Sequence, residues 1–138
     1  MDSFNLIGLK RRANEAISAC DSAIRIIKSI SQQYPVDYRD KEPISWKNSK
    51  RVIAIYADCY CDFFAKAKKI MEDAQKEFEL TRRVSDYFYE ECRYIDRQLY
   101  DEMGLVQADE LSADVVSIID FTYYYREGYE AAHPEKTE

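Results

Sequence analysis

From Ser49 to Met103 the chain contains no glycine, no proline and no asparagine. Those residues supply most of the backbone conformations that reverse a chain, so a stretch this long without them has little means of making tight turns. One apolar stripe runs through it at helical spacing. It comprises Val52, Tyr56, Cys59, Phe63, Ala67, Ile70, Ala74 and Phe78, then Val84, Phe88, Cys92, Ile95, Leu99 and Met103. At about 100° per residue the two halves stay in phase, so a single helix of about 80 Å accommodates the whole segment. Helices that long are uncommon, and a reversal inside the segment is best placed at "LTRRVSD", where Ser85 or Asp86 can cap a new helix. Gly104 closes the segment as a glycine just past a helix C-terminus.

The flanks read as helices too. The first begins near Met1–Asn5 with Asp2 or Ser3 as its cap. Leu6, Leu9, Ala13, Ala16, Cys20, Ala23, Ile27 and Ile30 alternate steps of three and four, an unbroken seam for a neighbour lying nearly parallel. This helix should end near Gln33, because Pro35 pushes Tyr34 out of helical geometry. "PVDYRDKEPISW" is a loop, with Trp46 expected to pin its far end to the bundle. The last helix starts between Gln107 and Ser112, with Ser112 a candidate cap and Asp109, Glu110 and Asp114 favourable beside its N-terminus. Gly128 is expected to loosen its end, and residues 133–138 to form a mobile polar tail. The expected fold is all-α: residues 1–138 form a single domain, a three- or four-helix bundle with one very long, or once broken, central helix.

The charge is lopsided. The net charge is −6, yet Met1–Ser85 carries 16 Lys and Arg against 12 Asp and Glu, and Asp86–Glu138 carries 4 against 14. The balance thus swings from +4 to −10, so the C-terminal part carries a field that repels nucleic acid and attracts basic partners. No secretory signal and no run of ~18 apolar residues is visible, so a cytoplasmic protein with reduced thiols and no membrane contact is expected.

Catalysis finds little material. The one histidine, His133, sits beside Pro134, poorly placed for a Cys–His or Ser–His–Asp arrangement. Cys59 and Cys61 are two residues apart and diverge by about 200° on a helix, so they cannot share a metal ion; Cys59 falls on the apolar stripe and Cys61 off it. Gly8, Gly104 and Gly128 form no phosphate loop. The lysines and arginines at 10–12 and 66–69 are interspersed with acids and make no basic stripe. No enzyme activity, cofactor, metal or direct nucleic-acid binding is expected.

What remains is "DFTYYYREGYE", residues 120–130. On a helical wheel Leu111, Val115, Ile118, Thr122, Tyr125 and Tyr129 form the inward stripe, flanked by Phe121 and Tyr124 on one side and Ile119 on the other. Tyr123 and Val116 point outward, sharing that face with Asp109, Asp120, Glu127 and Glu130. Carboxylates beside an exposed ring suit arginine and lysine side chains, through charge-assisted hydrogen bonds and the attraction of a cation to the ring face. Asp109, Asp120, Tyr123, Glu127 and Glu130 are therefore the candidate protein-binding residues. The expected partner is a protein with a basic surface, such as the groove of a nucleic-acid-binding enzyme that an acidic decoy would occupy. A second reading is a small-molecule sensor with Tyr56, Tyr60, Tyr87, Tyr89 and Tyr125 lining a pocket; a third is a structural subunit. A continuous central helix would leave a half-open bundle that a second copy completes, so a homodimer follows from that form alone.

Overall fold

A computed structural model of the chain describes residues 3–34 and 49–136. The helices, in chain order, are α1 (Leu6–Gln33), α2 (Ser49–Ile55), α3 (Ala57–Thr81), α4 (Asp86–Arg97) and α5 (Ser112–Ala132). A π-helical turn, Gln98–Glu102, extends α4, and two 3-10 turns, Leu105–Gln107 and Asp109–Leu111, lead into α5. No strand occurs among the described residues. The loop read at 35–46, with Trp46, lies outside them.

The very long central helix is not there; the segment is divided twice. α3 stops at Thr81 because Arg82 adopts a left-handed conformation (φ 58°) and turns its amide back onto the Phe78 carbonyl at 2.8 Å. Ser85 then caps α4, its side chain accepting the Phe88 amide at 3.2 Å. The hydroxyl of Tyr125 accepts the Ser85 amide at 2.9 Å, so α5 fixes the corner from outside. On α4, Tyr94 reaches the Phe63 ring of α3 (centroids 6.4 Å apart) and lies under the Lys66 ammonium, which places α4 back alongside α3. The half-open rod that motivated a homodimer is thereby absent.

The second division is at Tyr56, which has non-helical dihedrals (φ −103°, ψ 20°). The expected stripe holds on both sides of it, with Val52, Phe63, Ala67, Ile70, Ala74 and Phe78 all buried, and Ala57, Tyr60, Phe64 and Met71 widen the buried face. Tyr56 and Cys59, expected on the stripe, are exposed, whereas Cys61, expected off it, packs against the core.

α1 is the central element, lying against α3 on one side and α5 on the other, with α4 packed on α5. Its small seam residues, Ala13, Ala16, Cys20 and Ala23, are all fully buried, which allows helix backbones to approach closely there. Its cap is Asn5, not Asp2 or Ser3: Asn5 Oδ1 accepts the Gly8 amide at 2.8 Å. At the N-terminal end of α1 the Phe4 ring meets Phe78 and Tyr125 edge-on and tilts against Tyr124. This contact explains Gly128, whose Cβ would overlap the Phe4 ring. Far from loosening α5, Gly128 is where the N-terminal segment docks, and the helix continues to Ala132.

Ser112 is the first residue of α5 and not its cap; its hydroxyl donates to the Asp109 carbonyl at 3.1 Å. Gly104 does take the left-handed conformation expected past a helix end (φ 62°). Beyond α5, His133 stacks on Tyr129 (centroids 4.3 Å) and Pro134–Lys136 form a 3-10 turn. No described helix is long and apolar enough to cross a membrane.

Candidate functional site

The acidic half of the chain meets in α5, and the spacing of α5 sends its side chains in two directions. Inward, Val115, Ile118, Phe121, Thr122, Tyr125 and Tyr129 are buried. Outward, Val116 is 65% exposed and Tyr123 46%. Beside them runs the π-helical turn that follows α4, which places Tyr100, 45% exposed, at the edge of α5. Tyr100, Val116, Ile119 and Tyr123 form the apolar lining of a shallow groove of about 420 Å³; Arg12, Tyr124, Asp120 and Glu127 complete it. The Tyr100 phenol is pushed above its usual range, first by its interaction with the Tyr123 hydroxyl and then by burial.

Two arginines of the chain itself serve this face. Arg12, from α1, lays its guanidinium over the Tyr124 ring, 3.9 Å from the centroid, and brings Nε to 3.4 Å from Asp120. Arg126 donates to Asp96 at 2.9 Å and sits over the rings of Tyr123 (5.5 Å) and Tyr89 (6.0 Å). Each guanidinium thus combines one carboxylate with at least one ring face, the pairing that favours arginine over lysine. Asp120 and Tyr123, read from sequence as receivers of a partner's cation, already hold cations of their own.

Asp96 is the buried member of this network, 7% exposed. It accepts the Thr122 hydroxyl at 2.5 Å as well as the Arg126 guanidinium. Burial pushes its carboxyl above the ordinary range, and the two hydrogen bonds pull it back only in part. Arg126 is raised as well, for a different reason: burial would lower its affinity for the proton, and the bond to Asp96 with its charge more than offsets this.

The five residues read from the sequence as one ridge are not all brought together. Asp120, Tyr123 and Glu127 line the groove. Asp109 lies in the 3-10 turn ahead of α5, exposed, outside the groove lining. Glu130 turns toward α4 and accepts the Tyr89 hydroxyl at 2.9 Å. Beside it Tyr89 stacks on Tyr129 (4.1 Å), and the Tyr129 hydroxyl donates to Asp86. Glu127 is exposed and, among the described residues, holds no side-chain partner.

Three lining residues carry no sequence signal for this role. Arg12 belongs to a cluster that spreads around α1, Tyr124 falls on the flank of the core stripe, and Tyr100 lies off the stripe in the π-helical turn after α4. Three lysines elsewhere are paired too: Lys10 with Glu79 at 2.9 Å, Lys68 with Asp21 at 3.0 Å, and Lys69 with Asp73 at 3.0 Å. The five tyrosines of the small-molecule reading are dispersed. Tyr60 and Tyr125 are buried in the core, Tyr56 and Tyr87 are exposed, and Tyr89 is bound to Glu130 and stacked on Tyr129. No group of three or more potential metal ligands converges among the described residues.

Comparison with protein-family models, with curated proteins and with solved structures finds no match to this chain.

Proposed function

We propose that the protein is a non-catalytic binding module that docks a basic protein surface on the acidic, tyrosine-bearing face of α5. The surfaces that fit are those that otherwise hold nucleic-acid phosphates. The observation that carries this reading is Glu127: an exposed carboxylate with no side-chain partner among the described residues, on the rim of a groove holding two half-exposed tyrosine rings. Around it, Asp86–Glu138 carries a balance of −10, a field that steers cationic surfaces toward this side and repels nucleic acid itself. Tyrosine suits the task because it presents a large ring at low entropic cost and tolerates both water and a guanidinium. A protein surface is favoured over a small ligand because the groove is open and the five tyrosines of the pocket reading sit apart.

The test is capture of partners from lysate by the wild-type chain and by the double variant Asp109→Lys/Glu127→Lys. Neither residue holds a side-chain partner among the described ones, so the fold should survive both changes. Partners should be lost on charge reversal and should be displaced from the wild type by duplex DNA. Partners that survive the reversal and resist DNA would end the proposal.

A further inference from the structure

The groove beside Glu127 has a more specific chemistry than a general acidic face. Its charged members are Arg12, Asp120 and Glu127, and the first two are already paired at 3.4 Å. One carboxylate is left over, so the groove neutralises a single cation and not a run of them. Apolar surface lines it as well: Val116 and Ile119, together with the rings of Tyr100 and Tyr123. Arg126 sits over Tyr123, yet nearly half of that residue remains exposed. Glu127 and the open parts of the two rings thus repeat, toward solvent, the carboxylate-and-ring pairing that holds Arg12 and Arg126 inside the molecule.

Resting on the binding function proposed above, we infer that this groove takes one arginine side chain of a partner protein, presented between apolar neighbours. The guanidinium bonds Glu127 and lies against Tyr100 and Tyr123, while an adjacent aliphatic side chain covers Val116. Arginine is preferred to lysine because a planar, weakly hydrated cation can stack on a ring and bond a carboxylate at once. Size alone argues for an anchor within a larger contact, since a groove of about 420 Å³ holds one long side chain and a neighbour, not a whole interface.

The experiment titrates the isotope-labelled full chain with an acetylated, amidated Ala-Leu-Arg-Leu-Ala peptide and follows chemical shifts. Two further peptides carry lysine or citrulline at the centre. The arginine peptide should move the signals of Tyr100, Val116, Tyr123 and Glu127 with millimolar affinity, and the citrulline peptide should bind at least about tenfold more weakly. In the Glu127→Gln chain the arginine peptide should lose about five- to tenfold in affinity with an unchanged circular dichroism spectrum. Equal binding of arginine and citrulline peptides, shifts centred elsewhere, or no shifts up to about 10 mM would each overturn the inference. Loss of lysate partners on charge reversal with no peptide shifts would remove the groove and leave the acidic-face proposal standing. Peptide shifts without any charge-dependent partner would do the converse.

Discussion

The hydroxyl of Tyr125, midway along α5, accepts the backbone amide of Ser85 at 2.9 Å, at the corner where the chain leaves α3 and enters α4. A residue forty positions away thus holds the reversal inside a segment that has no glycine, proline or asparagine of its own. Replacing Tyr125 with Phe keeps the ring and removes the acceptor. Leaving a part-buried amide without a partner costs about 1–2 kcal/mol, so the urea midpoint should fall with the slope unchanged. An unchanged midpoint would mean that water reaches the amide.

Arg82 makes the corner possible at some cost, because a non-glycine residue in the left-handed region loses about 1 kcal/mol. Its own guanidinium recovers part of that by donating to the Phe78 carbonyl at 3.1 Å and the Glu79 carbonyl at 2.6 Å. Arg82→Ala keeps the backbone cost and loses both bonds, and should destabilise by about 1–2 kcal/mol. Arg82→Gly loses the bonds and removes the cost, and should be about 1 kcal/mol more stable than the alanine variant. Chemical denaturation of the two variants side by side reads the difference.

Gly128→Ala separates propensity from packing. In an open helix the change gains about 1 kcal/mol. Here the new methyl meets the Phe4 ring, and forcing atoms into a filled site costs about 1–3 kcal/mol. The single variant should therefore be destabilised. In a Phe4→Ala background the same substitution should stabilise, and a thermal double-mutant cycle will show the change of sign.

Much of the molecule's outline can be read from residue spacing, because seams with small residues at their centre leave few ways to pack. The seam of α1, the inward stripe of α5 and the outward placement of Tyr123 and Val116 all follow from helical period. What spacing misses are departures from that period. Tyr56 interrupts a helix without any glycine or proline, and around this break Cys59 is exposed while Cys61 packs on the core. Tyr100, in the turn Gln98–Glu102, lines the groove beside α5, a meeting of two helices that spacing along one of them does not show. Nor does a wheel reveal that Asp96, counted among acids, lies buried against Thr122 and Arg126, since only tertiary contact shows a polar group its partners.

Alkali should unfold the protein in a step tied to its inner tyrosines. Burial pushes the phenols of Tyr60 and Tyr125 up to about 12, and hydrogen bonding to Asp86 followed by burial does the same for Tyr129. Folded values above the unfolded value of about 10 mean that the native state keeps protons that the unfolded chain releases. Their stabilising contribution is complete below about pH 10 and is lost as pH rises toward about 12. Phenolate absorbance should therefore include a cooperative component coinciding with loss of the helical circular dichroism signal. Smooth ionisation of every tyrosine in a folded chain would contradict it.

Arg126 bonds an aspartate of the interior with one face of its side chain's reach and covers an outward tyrosine with the other. Asp96→Asn, though hidden from solvent, would release that cation and alter how Tyr123 is presented, with no shift of the backbone required. Mutational scans confined to visible positions would overlook such a determinant: recognition on this flank of the protein is partly written beneath it.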